Sequence, residues 1–290
     1  MRPVQTLPSP DVLISATARV GESPVIDARS HSLCWVDIPE GILHEYDLTL
    51  GHGRSTTLPT QLGAIAPRES EPGFAVAVQE GFGFCVSGEL QLIDIALAEP
   101  KRRMNDAKCD SRGRLWAGST HTEYLPGYGR LHRWDGVGPS VVKASGLVLP
   151  NGIGWSPDDT TMYLVDSFAN VLMHAEFQSA EGDVGEFRPL VQIRDAHPDG
   201  LTVDHDGCIW VAIWGAAQVR KFSPTGELLA VVPMPVSQPA SCAFGADGTL
   251  YITSALEGLS EQELIDQPLS GSVFAVSTTS RGMPVAPFAG

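Results

Sequence analysis

Pro198-Asp199-Gly200-Leu201-Thr202-Val203-Asp204-His205-Asp206-Gly207-Cys208-Ile209-Trp210-Val211-Ala212 holds one full period of the pattern that governs this chain. A polar residue, Asp199, opens a short apolar stretch. An Asp/Gly turn follows, because Asp side chains accept backbone hydrogen bonds and Gly tolerates positive φ. Then comes 209–214, Ile-Trp-Val-Ala-Ile-Trp, β-branched and aromatic as a buried strand requires. Residues 218–222 predict the next strand, 223–226 (Ser-Pro-Thr-Gly) a turn, and 227–232 one strand more.

The same unit recurs in both directions. Its strand-ending aromatics are Trp35, Trp116, Tyr163, Trp210 and Tyr251, with a degenerate copy at Phe74, spaced 39, 42, 47, 47 and 41 residues apart. Six units of that size, each with four strands, account for the chain. Helical periodicity is weak, and residues 260–266 are the best helix candidate, at one or two turns. This period predicts an all-β fold: a six-bladed β-propeller with four antiparallel strands per blade. A solenoid would need atypical capping repeats at its ends. No linker or composition shift divides the chain, so residues 1–290 are expected to form a single domain.

Four polar residues occupy one phase of the repeat. Glu22, Asn105, Asn151 and Asp199 each lie five residues before a turn residue, at Asp27, Asp110, Ser156 and Asp204. Leu62 and Ser241 fill the phase in the other two units. Equivalent positions of a radial fold converge on its axis. Carboxylate and amide oxygens gathered there are hard ligands suited to Ca²⁺, Mg²⁺ or Mn²⁺, and they also accept Zn²⁺. No histidine shares the phase, although His121 and His197 lie close enough in sequence to be substrate contacts. The plainer alternative is that these residues are turn caps and strand-edge hydrogen-bonding groups. Asp110, Asp158, Asp204 and Asp247 read as turn residues, and Trp210 as core between blades.

The formal charge of −15 and a pI near 4.8 disfavour nucleic acid and anionic membrane surfaces as partners. No run of 18 apolar residues is present, and residues 1–15 lack a basic segment followed by an apolar core. The cytoplasm is the expected location. The five cysteines are scattered without a C-x-x-C pair, and read as small buried apolar residues rather than a disulfide framework or a zinc cluster. Gly-x-Ser-x-Gly and glycine-rich phosphate loops are absent. Metal-assisted hydrolysis with a carboxylate base is the simplest chemistry the polar set allows.

At these residues the chain resembles the regucalcin/gluconolactonase family of sugar-lactone hydrolases, the senescence-marker-protein family. The resemblance rests on an ordered set of segments: 21–24 (Gly-Glu-Ser-Pro), 103–110 (Arg-Met-Asn-Asp-Ala-Lys-Cys-Asp), 151–156 (Asn-Gly-Ile-Gly-Trp-Ser), 198–204, 207–212, 241–245 and 286–290. It covers essentially the whole chain. It implies a propeller with one divalent metal in the channel, calcium or zinc foremost, with manganese, magnesium and iron as alternatives. Glu22, Asn151 and Asp199 match the family's metal ligands, and Asp199 is also the expected base. Because a bound cation weakens a carboxylate as a base, water activated by the metal is the alternative. Arg103, Asn105 and Glu123 match substrate-binding residues, and the small-molecule substrate would be a sugar lactone. Trp155 and Trp214 are further residues able to stack on a sugar. Ala107, where relatives carry Gly, is expected to narrow the mouth. A non-catalytic calcium- or ligand-binding propeller is the second reading, and a scaffold for protein partners the third.

Overall fold

The computed structural model describes residues 3–290 and contains six twisted antiparallel sheets arranged around an axis. The first blade is Gly21–Asp27, Ser32–Asp37, Ile42–Asp47 and His52–Thr57. The second is Leu62–Pro67, Phe74–Val78, Gly81–Val86 and Glu89–Asp94. The third is Arg102–Cys109, Leu115–His121, Gly129–Trp134 and Val141–Leu147. The fourth begins Pro150–Trp155, Thr161–Asp166 and Val171–Gln178. Its outer position is shared by Asp183–Val184 and Arg188–Gln192, both paired to Val171–Gln178.

The fifth blade is His197–Val203, Ile209–Trp214, Gln218–Phe222 and Leu228–Pro233, with Gln5–Thr6 added in parallel at its edge. The sixth takes three strands from the C-terminal part of the chain, Pro239–Phe244, Thr249–Ser254 and Val273–Ser277. Its fourth, Asp11–Ile14, comes from the beginning. This pairing of distant segments closes the ring, and the innermost strands of the sixth and first blades lie side by side. The fold is therefore the six-bladed propeller that the repeat predicts. Closure covers the apolar end faces that an open stack of such sheets would expose, and leaves only the short outer edge of each blade.

The blades pack through apolar faces. Trp210 is 1% exposed and meets Phe244 of the next blade edge-on, with ring centroids 5.4 Å apart. Trp116 packs likewise against Phe177 at 5.7 Å. Each such side chain contributes about 1.5–3 kcal/mol by leaving water. All five cysteines are buried and unpaired. The turn aspartates accept backbone N–H groups as expected: Asp110 from Arg112 and Arg114, Asp158 from Thr160, Asp204 from Asp206 and Cys208, Asp247 from Thr249. The one helix, Glu261–Asp266, starts at a Ser260–Glu263 capping box. Among the described residues, no helix is long and apolar enough to cross a membrane.

Every innermost strand breaks register with its neighbour near the polar phase. The shifts fall between Glu22 and Val25, Leu62 and Ala64, Met104 and Ala107, Pro150 and Ile153, Pro198 and Leu201, and Pro239 and Ser241. In each, the inner strand carries one residue more than its partner. Such bulges re-aim side chains out of the strict alternation. Six of them at one level make a ring of diverted residues around the channel.

Candidate active site

Glu22, Asn105, Asn151 and Asp199 all lie on this ring and all are buried. Asn151 Nδ2 donates to Asp199 Oδ1, and to Ser167 Oγ at 3.1 Å. The Asp199 carboxyl lies beside that of Glu22, whose own neighbours are the Ser241 side chain and the Ser23 N–H, 2.8 Å from Oε2. Glycine at 152 and 200 lets the strands come this close. A Cβ on Gly200 would lie 2.0 Å from Ser241 Oγ, and one on Gly152 2.6 Å from the Asp199 carbonyl oxygen.

The two asparagines differ. Asn105 is fully engaged: its Oδ1 accepts from Arg103 Nη1 at 2.6 Å, and its Nδ2 donates to the Pro150 carbonyl at 3.2 Å. Asn151 Oδ1 is buried and has no partner. A buried carbonyl oxygen left without a donor costs about 1–3 kcal/mol, unless something positive meets it.

The electrostatics point the same way. Burial holds the Glu22 carboxyl well above the usual range, and the Asp199 and Asp106 charges push it further. Burial also raises Asp199, with Asp106 adding to the effect and Arg103, Glu22 and Asn151 opposing it. Asp106, next to Asn105 and 2% exposed, is itself pushed up to about 6 by burial, against the pull of Lys108 and the Ala107 N–H. Lys108 donates to the Leu201 carbonyl at 2.6 Å, and burial lowers its pKa. Three buried carboxyls thus crowd together, with the half-buried Lys108 ammonium set against Asp106 and the Arg103 guanidinium against Asp199. Among the described residues no three His, Cys, Asp or Glu side chains gather as a metal-holding group. The fitting donor set is instead mixed: the carboxylates of Glu22 and Asp199 with the orphaned amide oxygen of Asn151. It suits one hard cation and leaves coordination positions open.

Asp106 and Lys108 were not singled out in the sequence, although a charge inside an inner strand was the available signal. They line a cavity of about 220 Å³ below the ring, together with Ser23, Ser241 and Thr202. Met283–Ala286 lie along the same cavity, and Phe288 and Ala289 clip the tail to Pro67 and Gly113. Ala107 packs with Ala64 and Leu115 and also lines this cavity. Trp155 packs against Trp116 and Phe177 between blades and also lines this cavity.

At the rim, the basic run 101–103 separates into three roles. Lys101 pairs with Glu123 at 2.6 Å, and that partner lowers the Glu123 pKa. Arg102 is buried, bonded to Glu99 and to the Tyr128 carbonyl. Arg103 reaches Asn105. Glu123 is therefore an exposed rim residue, one strand outward from the ring.

Residues 20–256 match the family model described as the SMP-30/gluconolactonase/LRE-like region. The chain belongs to the SMP-30/gluconolactonase/LRE-like family. Among its relatives, a 6-deoxy-6-sulfogluconolactonase from Pseudomonas putida is 34% identical over 279 residues, covering 93% of this chain and 95% of that protein. An L-arabinolactonase from Azospirillum brasilense is 30% identical over 282 residues, covering 93% and 92%. A solved structure of a calcium-binding protein, regucalcin, from Agrobacterium tumefaciens str. C58 superposes with a TM-score of 0.93 at 27% identity, covering 99% of each chain. Membership in the SMP-30/gluconolactonase/LRE-like family supports a lactone hydrolase.

Proposed function

We propose that this chain hydrolyses a sugar lactone to its aldonic acid in a metal-dependent reaction. The observation that carries the reading is the convergence of the Glu22 and Asp199 carboxyls with the partnerless Asn151 Oδ1. These three residues would hold a divalent cation, calcium or zinc foremost, which when bound supplies Lewis-acid stabilisation of negative charge on the lactone oxygen. Sugar-lactone relatives support the substrate class.

Asp199 accepts a proton from water as the water oxygen bonds to the lactone carbonyl carbon. The ring C–O bond then breaks, and the ring oxygen leaves as a hydroxyl by taking back the proton that Asp199 holds. A positioned base of this kind contributes on the order of 10²–10⁴-fold. Asn105 holds Arg103 through Nη1, so the remaining guanidinium N–H groups are oriented toward sugar oxygens or the developing oxyanion. Glu123 contacts substrate from the rim.

A pH-indicator assay over a panel of aldonolactones, with and without chelator and added metals, tests this. Metal-dependent acid release is expected. Its absence across the panel, with divalent binding retained, would favour the non-catalytic calcium-binding propeller instead.

A further inference from the structure

One feature of the same mouth remains without a role in this chemistry. Tyr124 and Phe168 expose 37% and 45% of their surfaces, yet their rings stack with centroids 4.7 Å apart and an interplanar angle of 28°. Phe168 also meets the His197 ring at 5.2 Å. The three side chains come from the third, fourth and fifth blades. They join directly onto the ring of site residues: Phe168 follows Ser167, whose hydroxyl touches Asn151, and His197 precedes Asp199 by two positions.

The shelf is held in place. Tyr124 has φ of 53°, a left-handed conformation that a bulky residue seldom adopts and that the surrounding contacts must enforce. His197 Nδ1 lies 2.7 Å from Asn170 Oδ1 and 3.3 Å from the Ser167 carbonyl. Both are acceptors, so Nδ1 is the ring nitrogen that donates to the protein. Nε2 has no protein partner among the described residues.

The cations of this mouth do not serve the shelf. Lys101 is paired with Glu123, Arg102 is buried against Glu99, and Arg103 is turned toward Asn105. We infer that the Tyr124–Phe168–His197 shelf determines substrate specificity. It stacks on the C–H face of the lactone's far end, receives one hydroxyl hydrogen bond at His197 Nε2, and selects neutral lactones over those with an anionic terminal group. Aromatic faces with a few placed polar groups are how such pockets fix orientation. The inference rests on the lactonase reading.

The test compares kcat and KM on neutral aldonolactones and on 6-deoxy-6-sulfogluconolactone and 6-phosphogluconolactone. Wild type is expected to favour the neutral lactones by about 100-fold in kcat/KM. Phe168→Ala should raise KM for them about tenfold, the scale of one apolar contact, with kcat held within about twofold. His197→Leu should do the same, and His197→Gln, which keeps an acceptor, should recover part of the loss. Unchanged thermal melting of the variants shows that folding is intact. A wild type that hydrolyses neutral lactones while these variants keep its KM and its discrimination overturns the shelf alone. Equal or better turnover of the anionic lactones by wild type overturns the selection for neutral ones. A wild type inactive on every lactone overturns the lactonase reading and the shelf with it.

Discussion

Asp199 lies near the start of the strand His197–Val203 and Asp204 directly follows its end, and the two have opposite fates. Asp204 is surrounded by donors: the Asp206 and Cys208 N–H groups at 3.1 and 2.9 Å, Trp210 Nε1 at 3.0 Å and Lys221 Nζ at 2.9 Å. Burial alone would raise its pKa, but these donors outweigh it and the net shift is downward. Asp199 is buried among other carboxyls and its pKa is raised. The two share residue type and burial. What differs is whether the protein itself supplies the positive partners. Where it does, the acid belongs to the structure; where it does not, the acid is kept for something that binds.

The same contrast recurs in the third blade. Asp110 accepts from Trp116 Nε1 at 2.8 Å and Arg114 Nε at 2.7 Å, whereas at Asp106 burial outweighs the pull of Lys108 and the Ala107 N–H and the net shift is upward. The second-strand tryptophan does more than fill space between blades. Its indole N–H reaches back to the turn aspartate, so strand, turn and blade contact are fixed together.

The sharpest way to break the contrast is to swap its consequences. Asp199→Asn should lower kcat about 10³-fold, within the range of a lost general base, while leaving the melting temperature unchanged or higher because a repelling charge is gone. Retention of near-wild-type turnover with metal bound would remove Asp199 from the role of base. Asp204→Ala should do the reverse. It strands Lys221 and the Trp210 N–H, so denaturant unfolding should show a loss of about 3 kcal/mol, the scale of a broken buried pair. The activity of the folded fraction should stay near wild type.

Gly200→Ala tests the close approach that lets the ring form. Its Cβ would overlap Ser241, and overpacking of this kind costs about 1–3 kcal/mol. Both stability and lactone turnover should fall. An unchanged enzyme would mean that the ring tolerates expansion.

The smallest effect is on pH dependence, and its two parts have opposite signs. The folded pKa of Asp204 is lowered, so its stabilisation is complete above the unfolded value near ~3.9. That stabilisation is lost as pH falls through the lower folded value. The folded pKa values of Glu22 and Asp199 are raised, so the metal-stripped fold retains protons that the unfolded chain releases. Between ~4 and those raised values their contribution falls as pH rises. Thermal melting in chelator should therefore peak on the acid side of neutrality. Added divalent cation should restore stability at neutral pH. A melting profile that chelator leaves unchanged would contradict the account.

Much of this was legible before any coordinates. The aromatic period gave the blade count, and the turn aspartates followed from short-range chemistry. The phase of Glu22, Asn105, Asn151 and Asp199 marked the ring because a bulge at a fixed place in each blade keeps sequence phase and spatial level together. Long-range facts were not legible. Nothing local in Asp11–Ile14 says that it completes the sixth blade, and nothing in 281–290 says that the tail lies under the channel. The shelf was hidden for the same reason. Phe168 and Tyr124 lie in loops of different blades, and only closure of the ring brings their rings together. Asp106 carries no separate signal in the repeat because it stands beside Asn105, which already occupies the polar phase.

The most direct measurement is calorimetric titration of the metal-stripped chain with Ca²⁺ and with Zn²⁺, in parallel with Asn151→Leu and Asn105→Leu. The account predicts a single site for one of these ions. Asn151→Leu should abolish it because the unpartnered oxygen is gone, and Asn105→Leu should retain it within a few-fold because that amide is already satisfied by Arg103 and Pro150. Absence of binding by the wild type, or equal loss in both variants, would contradict it.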